Sequence, residues 1–139
     1  MKKKTLILKN NNLYYKFLGV LIKKGNKNAA KKILDKTFLK LSLKHNKSFC
    51  KLLLQIFIKL NSFVEVKSVR VRRASHLVPF SINLKRRSYL ILKWLTTAIK
   101  EEDTQQNSMI EKLYLEVNNL IQNTQSKALK KKNKILLMQ

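Results

Sequence analysis

The stretch Phe63-Val64-Glu65-Val66-Lys67-Ser68-Val69-Arg70-Val71-Arg72-Arg73-Ala74-Ser75-His76-Leu77-Val78-Pro79-Phe80-Ser81-Ile82 breaks the period of the chain around it. Val64 and Val66 alternate with Glu65 and Lys67, as residues of a half-exposed strand do. Val69 and Val71 alternate with Arg70 and Arg72, but one position out of phase, so a bulge near Ser68 is expected. Val78, Phe80 and Ile82 form a returning strand, and Pro79 confines it to a sheet edge. Two strands without a third make a β-ribbon over about residues 63–83. An isolated hairpin is marginal in water, so this one is expected to lean on a body or on a ligand.

On either side the apolar residues recur at helical spacing. Leu13, Phe17, Leu18, Leu21 and Ile22 form a stripe from Leu13 to Lys24, closed by Gly25. A second helix is predicted from about Asn28 to Leu43, with Ala30, Ile33, Leu34, Thr37, Phe38 and Leu41 on one face. A third is predicted from about Lys47 to Leu60. Its apolar residues nearly encircle it, which predicts a central place in the bundle. After the ribbon, helices are predicted from about Leu84 to Glu102, Ser108 to Gln122, and Lys127 onward. The fold class is therefore mainly α, a bundle of about six helices with one projecting two-stranded antiparallel β-ribbon. Residues 1–12 read as a basic N-terminal arm ending in Asn10-Asn11-Asn12, and 13–139 as a single helical domain.

The chain has 139 residues, with 31 Lys and Arg against 7 Asp and Glu, a formal net charge of +24. Such self-repulsion calls for a polyanionic partner. An apolar share of 45% excludes a disordered basic tail. Two Gly and one Pro argue against a turn-rich sandwich or barrel. The charge is also uneven. Residues 1–100 carry 25 basic and 2 acidic side chains, while residues 101–139 carry 6 and 5. All five arginines, Arg70, Arg72, Arg73, Arg86 and Arg87, lie within eighteen positions. Arginine presents a planar fork that grips phosphate bidentately and stacks on bases, whereas lysine is a mobile point charge.

Other chemistry is sparse. His45 and His76 lie in regions of different type, and no Cys/His/Asp cluster has metal-ligand spacing. Cys50 reads as a buried structural thiol. Gly19 and Gly25 are isolated, so no phosphate-cradling glycine loop is present. Glu101, Glu102 and Asp103 read as a solvated helix end, not a cation site. No enzyme, metal or cofactor is expected, and no apolar run reaches membrane-spanning length. The ribbon and the basic helix start Lys85-Arg86-Arg87 suit folded RNA, because a helix N-terminus adds free N–H groups for phosphate. Phe80 and Trp94 are expected in the core, while His76 and Tyr89 are candidates for base stacking. Two other classes fit less well. A membrane-surface protein would leave the ribbon unexplained, and a helical DNA-binding protein would need a tight helix-turn-helix that does not stand out.

Val64-Glu65-Val66-Lys67-Ser68, Val71, Val78-Pro79, Arg86-Arg87 and Trp94 together resemble, without gaps, the signature of the small-subunit ribosomal protein seven family, bacterial and organellar type. Weaker similarity extends over nearly the whole chain, including Lys24-Gly25-Asn26-Lys27 and Ala128-Leu129-Lys130-Lys131-Lys132. The resemblance implies a helical bundle with an extended ribbon. It implies binding to the 3′ major domain of small-subunit rRNA, nucleation of the subunit head beside neighbouring ribosomal proteins, and a ribbon tip near exit-site tRNA and mRNA. Carried over by position, Lys67, Arg70, Lys85, Arg86 and Arg87 are rRNA contacts. Lys2, Lys3, Lys4, Lys27, Lys93, Lys130 and Lys131 join them as candidates, and Arg72, Arg73, Ser75 and His76 form the tip. The family usually has paired glycines where this chain has Arg72 and Arg73, which puts a tight turn in question and makes the tip more basic. The chain stops at Gln139, short of the longer C-terminal tail of bacterial members. More than half of the residues are Lys, Asn, Ile or Leu, the bias of an AT-rich genome. The expected location is therefore the mitochondrial matrix, within the mitochondrial ribosome, with a plastid as the alternative.

Overall fold

A computed structural model describes residues 12–101 and 108–137. The basic arm before residue 12, with Lys2, Lys3 and Lys4, lies outside the described residues, as do Glu102 and Asp103. The order of elements is α1 (Asn12–Leu21), α2 (Lys27–His45), α3 (Phe49–Leu60), β1 (Val64–Val71), β2 (Ala74–Ser81), α4 (Leu84–Lys100), α5 (Met109–Ile121) and α6 (Lys127–Leu137). Mainly helical architecture with one antiparallel ribbon is what the periodicities require.

Local chemistry sets the helix ends. Gly25 has φ +72°, a left-handed turn that a glycine makes without strain. Asn26 then starts α2 by accepting a hydrogen bond from the Ala29 N–H at 3.2 Å. Asn46, itself left-handed, closes α2. Ser108 caps α5 through the Glu111 N–H.

Enclosure is greatest around α4, not α3. Leu90, Ile91, Leu92, Trp94, Leu95, Thr96, Ala98 and Ile99 of α4 are all buried, and the helix packs on α1, α3, α5 and α6. The apolar circumference of α3 predicted the central place, but Leu54 and Ile58 of that helix are 53% and 72% exposed. Its neighbours cover one side only, so an all-round apolar helix here leaves an apolar face outside. Phe38 and Phe49 meet edge to face with centroids 4.5 Å apart and fix the α2–α3 corner.

The ribbon is regular from Val64 opposite Ser81 to Val71 opposite Ala74. Ser68 pairs with Leu77 and no bulge intervenes, contrary to the expectation from the phase shift. The reason is exposure. Beyond Val66 the ribbon faces solvent on most positions of both faces, so no core demands that Val69 and Val71 share a face with Val64 and Val66. Arg72 and Arg73 make a two-residue turn, with Arg72 at φ +55°. The tight turn thus survives without glycine, at a cost of about 1 kcal/mol for the left-handed residue. β1 touches the body at α6. At the base the Ile82 N–H reaches the Phe63 carbonyl at 3.1 Å and the Ser62 hydroxyl donates to the Val64 carbonyl at 2.9 Å, bonds that lengthen the ribbon itself.

Candidate nucleic-acid interface

The ribbon and the first turn of α4 are joined by one charged clasp. Arg86 directs Nε at Glu65 Oε2 (3.1 Å) and Nη2 at Glu65 Oε1 (2.8 Å), a bidentate fork across the root of the ribbon. Its guanidinium also lies 5.5 Å from the Tyr89 ring centroid. Arg87 stacks on Phe63 at 4.2 Å. Neighbouring arginines therefore both engage the ribbon root. Neither role was read from the sequence. The available signal was Glu65, one of two acids in the first hundred residues, placed opposite the basic helix start.

The fork holds the Glu65 carboxyl below its ordinary value, chiefly through the Arg86 hydrogen bonds, with burial opposing and Lys67 and Lys93 assisting. A depressed carboxylate binds protons less readily when folded. The contribution is thus complete above the unfolded value and is lost as pH falls through the folded one. Glu65→Gln is expected to melt below the parent at about pH 6–7 and to converge on it as the pH falls through the lowered carboxyl value of the folded chain. A melting difference of constant size across that range, read by circular dichroism, would remove the clasp's role.

The other predicted contacts on the ribbon, α2 and α4 are each exposed. Lys67 is exposed on β1, with Nζ 5.8 Å from the Phe80 ring. Phe80 is 43% exposed, not core as expected, because the ribbon carries it beyond the bundle, whereas Trp94 is buried as expected. Arg70 stands opposite Ser75 and Val69 opposite His76. Arg70, Arg72, Arg73, Ser75 and His76 are all exposed, and the three arginines form no hydrogen bond or ion pair among the described residues. Lys85 and Lys93 are exposed on α4, and Lys27 is exposed at the start of α2. The Asn83 side chain does not cap α4, which leaves its first N–H groups available to an anion.

Lys130 and Lys131 lie apart from the ribbon tip on α6, where Lys131 pairs with Glu101 at 2.7 Å. Two further lysines are half-buried and occupied. Lys59 donates to the Leu120 and Ile121 carbonyls at 2.7 Å each, and Lys132 to the Lys59 carbonyl at 2.8 Å. Each satisfies carbonyls at a helix C-terminus, where a cation opposes the dipole. Burial lowers both ammonium groups below the ordinary lysine value, with Lys47 adding to the effect on Lys59.

Among the described residues, no group of three His, Cys, Asp or Glu side chains could hold a metal ion. No described helix is long and apolar enough to cross a membrane. Cys50 is half-buried in α3, and His45 meets Asn118 Oδ1 at 3.1 Å.

Residues 2–138 match the family model described as ribosomal protein S7p/S5e. The chain is similar to the small ribosomal subunit protein uS7c of Bigelowiella natans, at 29% identity over 126 residues, 91% of this chain and 79% of the relative. It is similar to uS7 of Wigglesworthia glossinidia brevipalpis at 28% identity over the same shares. It is also similar to uS7 of Dinoroseobacter shibae at 31% identity, covering 84% of this chain and 73% of the relative.

Proposed function

This chain belongs to the ribosomal protein S7p/S5e family, and from that premise we propose that it binds the 3′ major domain of small-subunit rRNA and nucleates assembly of the subunit head. It is a structural, non-enzymatic protein of the small ribosomal subunit. One observation carries the finer reading. Exposed Lys67 and Arg70 continue into exposed Lys85 across a ribbon root that the Glu65–Arg86 fork fixes to α4. A fixed angle between ribbon and helix lets two arrays of phosphate contacts act together instead of one at a time.

In this reading Lys67, Arg70, Lys85 and Lys93 contact rRNA, Arg86 and Arg87 act at the root, and Lys27, Lys130, Lys131 and the arm lysines Lys2, Lys3 and Lys4 extend the contact. Arg72, Arg73, Ser75 and His76 meet exit-site tRNA and mRNA at the tip, and neighbouring head proteins cover part of the bundle. Residues 13–139 act as one domain. The site of action is the mitochondrial matrix, supported by the Lys-, Asn-, Ile- and Leu-rich composition.

The test is sedimentation. A tagged chain expressed in its own cell is expected to travel with mitochondrial small subunits through a gradient at 0.5 M or higher salt, because a primary rRNA contact is buried in the particle. Recovery at the top of the gradient would sink the reading. Recovery with plastid subunits would relocate it.

A further inference from the structure

Of the four exposed aromatic residues among those described, three gather at the root of the ribbon: Phe63 at 66%, Phe80 at 43% and Tyr89 at 45% exposure. Each has a cation facing its ring. Arg87 lies 4.2 Å from the Phe63 centroid, Lys67 5.8 Å from that of Phe80, and Arg86 5.5 Å from that of Tyr89. The rings are also tied to one another. Phe80 stands directly opposite Glu65 across the ribbon, so the two share a face. Glu65 is gripped by the Arg86 fork, and the same guanidinium lies over Tyr89. Arg87, the next residue of α4, engages Phe63. Burying one phenylalanine side chain contributes about 1.5–3 kcal/mol, so three open rings in one place mark a surface that something covers.

We propose that Phe63, Phe80 and Tyr89 are a stacking platform for unpaired bases of the bound rRNA, with Lys67 and Lys93 taking the phosphates, a step that rests on the RNA-binding reading above. The cations decide what the cover is. An apolar protein surface laid on the rings would also take Lys67, Arg86 and Arg87 out of water without a counter-charge. Glu65, the acid at their centre, is already engaged by Arg86. A nucleotide brings both halves together, a π-face for the ring and a phosphate for the cation. Lys67 adjoins Phe80, and exposed Lys93 lies one helical turn after Tyr89 on the same side of α4, so each of these rings has an ammonium beside it. The fork between Glu65 and Arg86 ties the strand opposite Phe80 to the helix that carries Tyr89, so little freedom is lost when bases settle. Every base has a π-face, so the platform selects unpaired nucleotides without selecting their sequence.

The test compares the full chain on two RNAs, a hairpin with a loop of unpaired uridines and the same hairpin with abasic residues in the loop, which keeps every phosphate. The parent is expected to bind the uridine form on the order of tenfold more tightly, the contribution of one stacked base. Phe80→Leu with Tyr89→Leu removes two rings and no charge. It is expected to cut the preference to about twofold or less, and to leave the affinity of the abasic hairpin and its salt dependence unchanged. Phe80→Tyr with Tyr89→Phe keeps both rings and is expected to keep the preference. A fluorescent base analogue in the loop, whose emission falls on stacking, reads the contact directly and is expected to be quenched by the parent. That reading decides the matter should the leucine pair fail to fold, and an unquenched analogue overturns the platform. A preference that survives the leucine pair also overturns it. Equal binding of both hairpins by the parent overturns it too, and hands the rings to a protein partner while the RNA reading stands. Binding of neither hairpin overturns the RNA reading and the platform with it.

Discussion

Replacing Lys67, Arg70 and Lys85 together by glutamine is expected to weaken binding to the 3′ major domain of small-subunit rRNA by roughly 10²- to 10³-fold at 0.1 M salt. The three side chains are exposed, and none is held in an ion pair among the described residues, so each is free to displace counterions. Each phosphate contact contributes about 0.7–0.9 to the slope of log affinity against log salt, and three contacts contribute about 2–3. Glutamine stays polar and uncharged on an exposed surface, and no core residue changes, so melting should stay within a degree or two of the parent. Filter binding from 0.05 to 0.4 M KCl reads both affinity and slope. An unchanged slope would move the rRNA contact to another surface. Arg72→Gln with Arg73→Gln serves as the contrast. The tip faces tRNA and mRNA in this reading, so that pair should change binding to isolated rRNA much less.

Arg86→Gln should behave differently from both. Its fork is spent on Glu65, so few counterions depend on it, and its loss frees the ribbon to swing about its root. The expected signature is lower affinity with a nearly unchanged slope. The formal charge of +24 therefore overstates the charge on offer to RNA. Lys59 and Lys132, half-buried, close helix ends, Arg86 holds the ribbon, and Lys131 answers Glu101. Of what remains, the arginines not engaged at the root, Arg70, Arg72 and Arg73, all lie on the ribbon.

The helices and the ribbon were legible because their signals are local. A stripe such as Ala30, Leu34, Thr37, Phe38 and Leu41 states the buried face of α2 directly. The bulge at Ser68 failed because alternation reports a backbone irregularity only where one face is buried, and the outer ribbon buries neither. The centrality of α3 failed because apolar content says that a face seeks cover without saying that this chain supplies it. Pairings across sequence distance left weaker traces. Arg86 looked like a free phosphate fork because Glu65 lies 21 residues away and only the return of the ribbon brings it near. Glu116 shares spacing with Leu113, Val117 and Leu120, the inward stripe of α5. An acid at such a position is a signal for a buried partner, and here that partner is a helix end.

Glu116→Ala is expected to lower stability by about 3 kcal/mol, the loss of a buried charged acceptor with two donors left behind. The side chain is 1% exposed. Its Oε1 accepts from the Ser126 hydroxyl and from the Ala128 N–H, each at 2.8 Å, at the entry to α6. Ser126 Oγ in turn accepts from the Leu129 N–H at 3.2 Å, so one carboxylate organises the whole first turn. A negative charge there also complements the helix dipole. Alanine removes the acceptor, strands a buried hydroxyl and a buried amide, and leaves a cavity beside Leu113 and Val117. For a chain of this size the melting midpoint should fall by roughly 10 °C. Glu116→Gln keeps the shape and one acceptor and should lose about half as much. Ser126→Ala removes two links, to Glu116 and to the Leu129 N–H, but leaves the carboxylate on the Ala128 N–H, and should cost about 1–2 kcal/mol. The order Ala below Gln below parent in thermal melts is the required result, and a Glu116→Ala midpoint within two degrees of the parent would exclude the carboxylate as the anchor of α6. Loosening of α6 also uncouples Lys132 from the α3 carboxyl end, so the same variant should expose amides of both helices to hydrogen exchange.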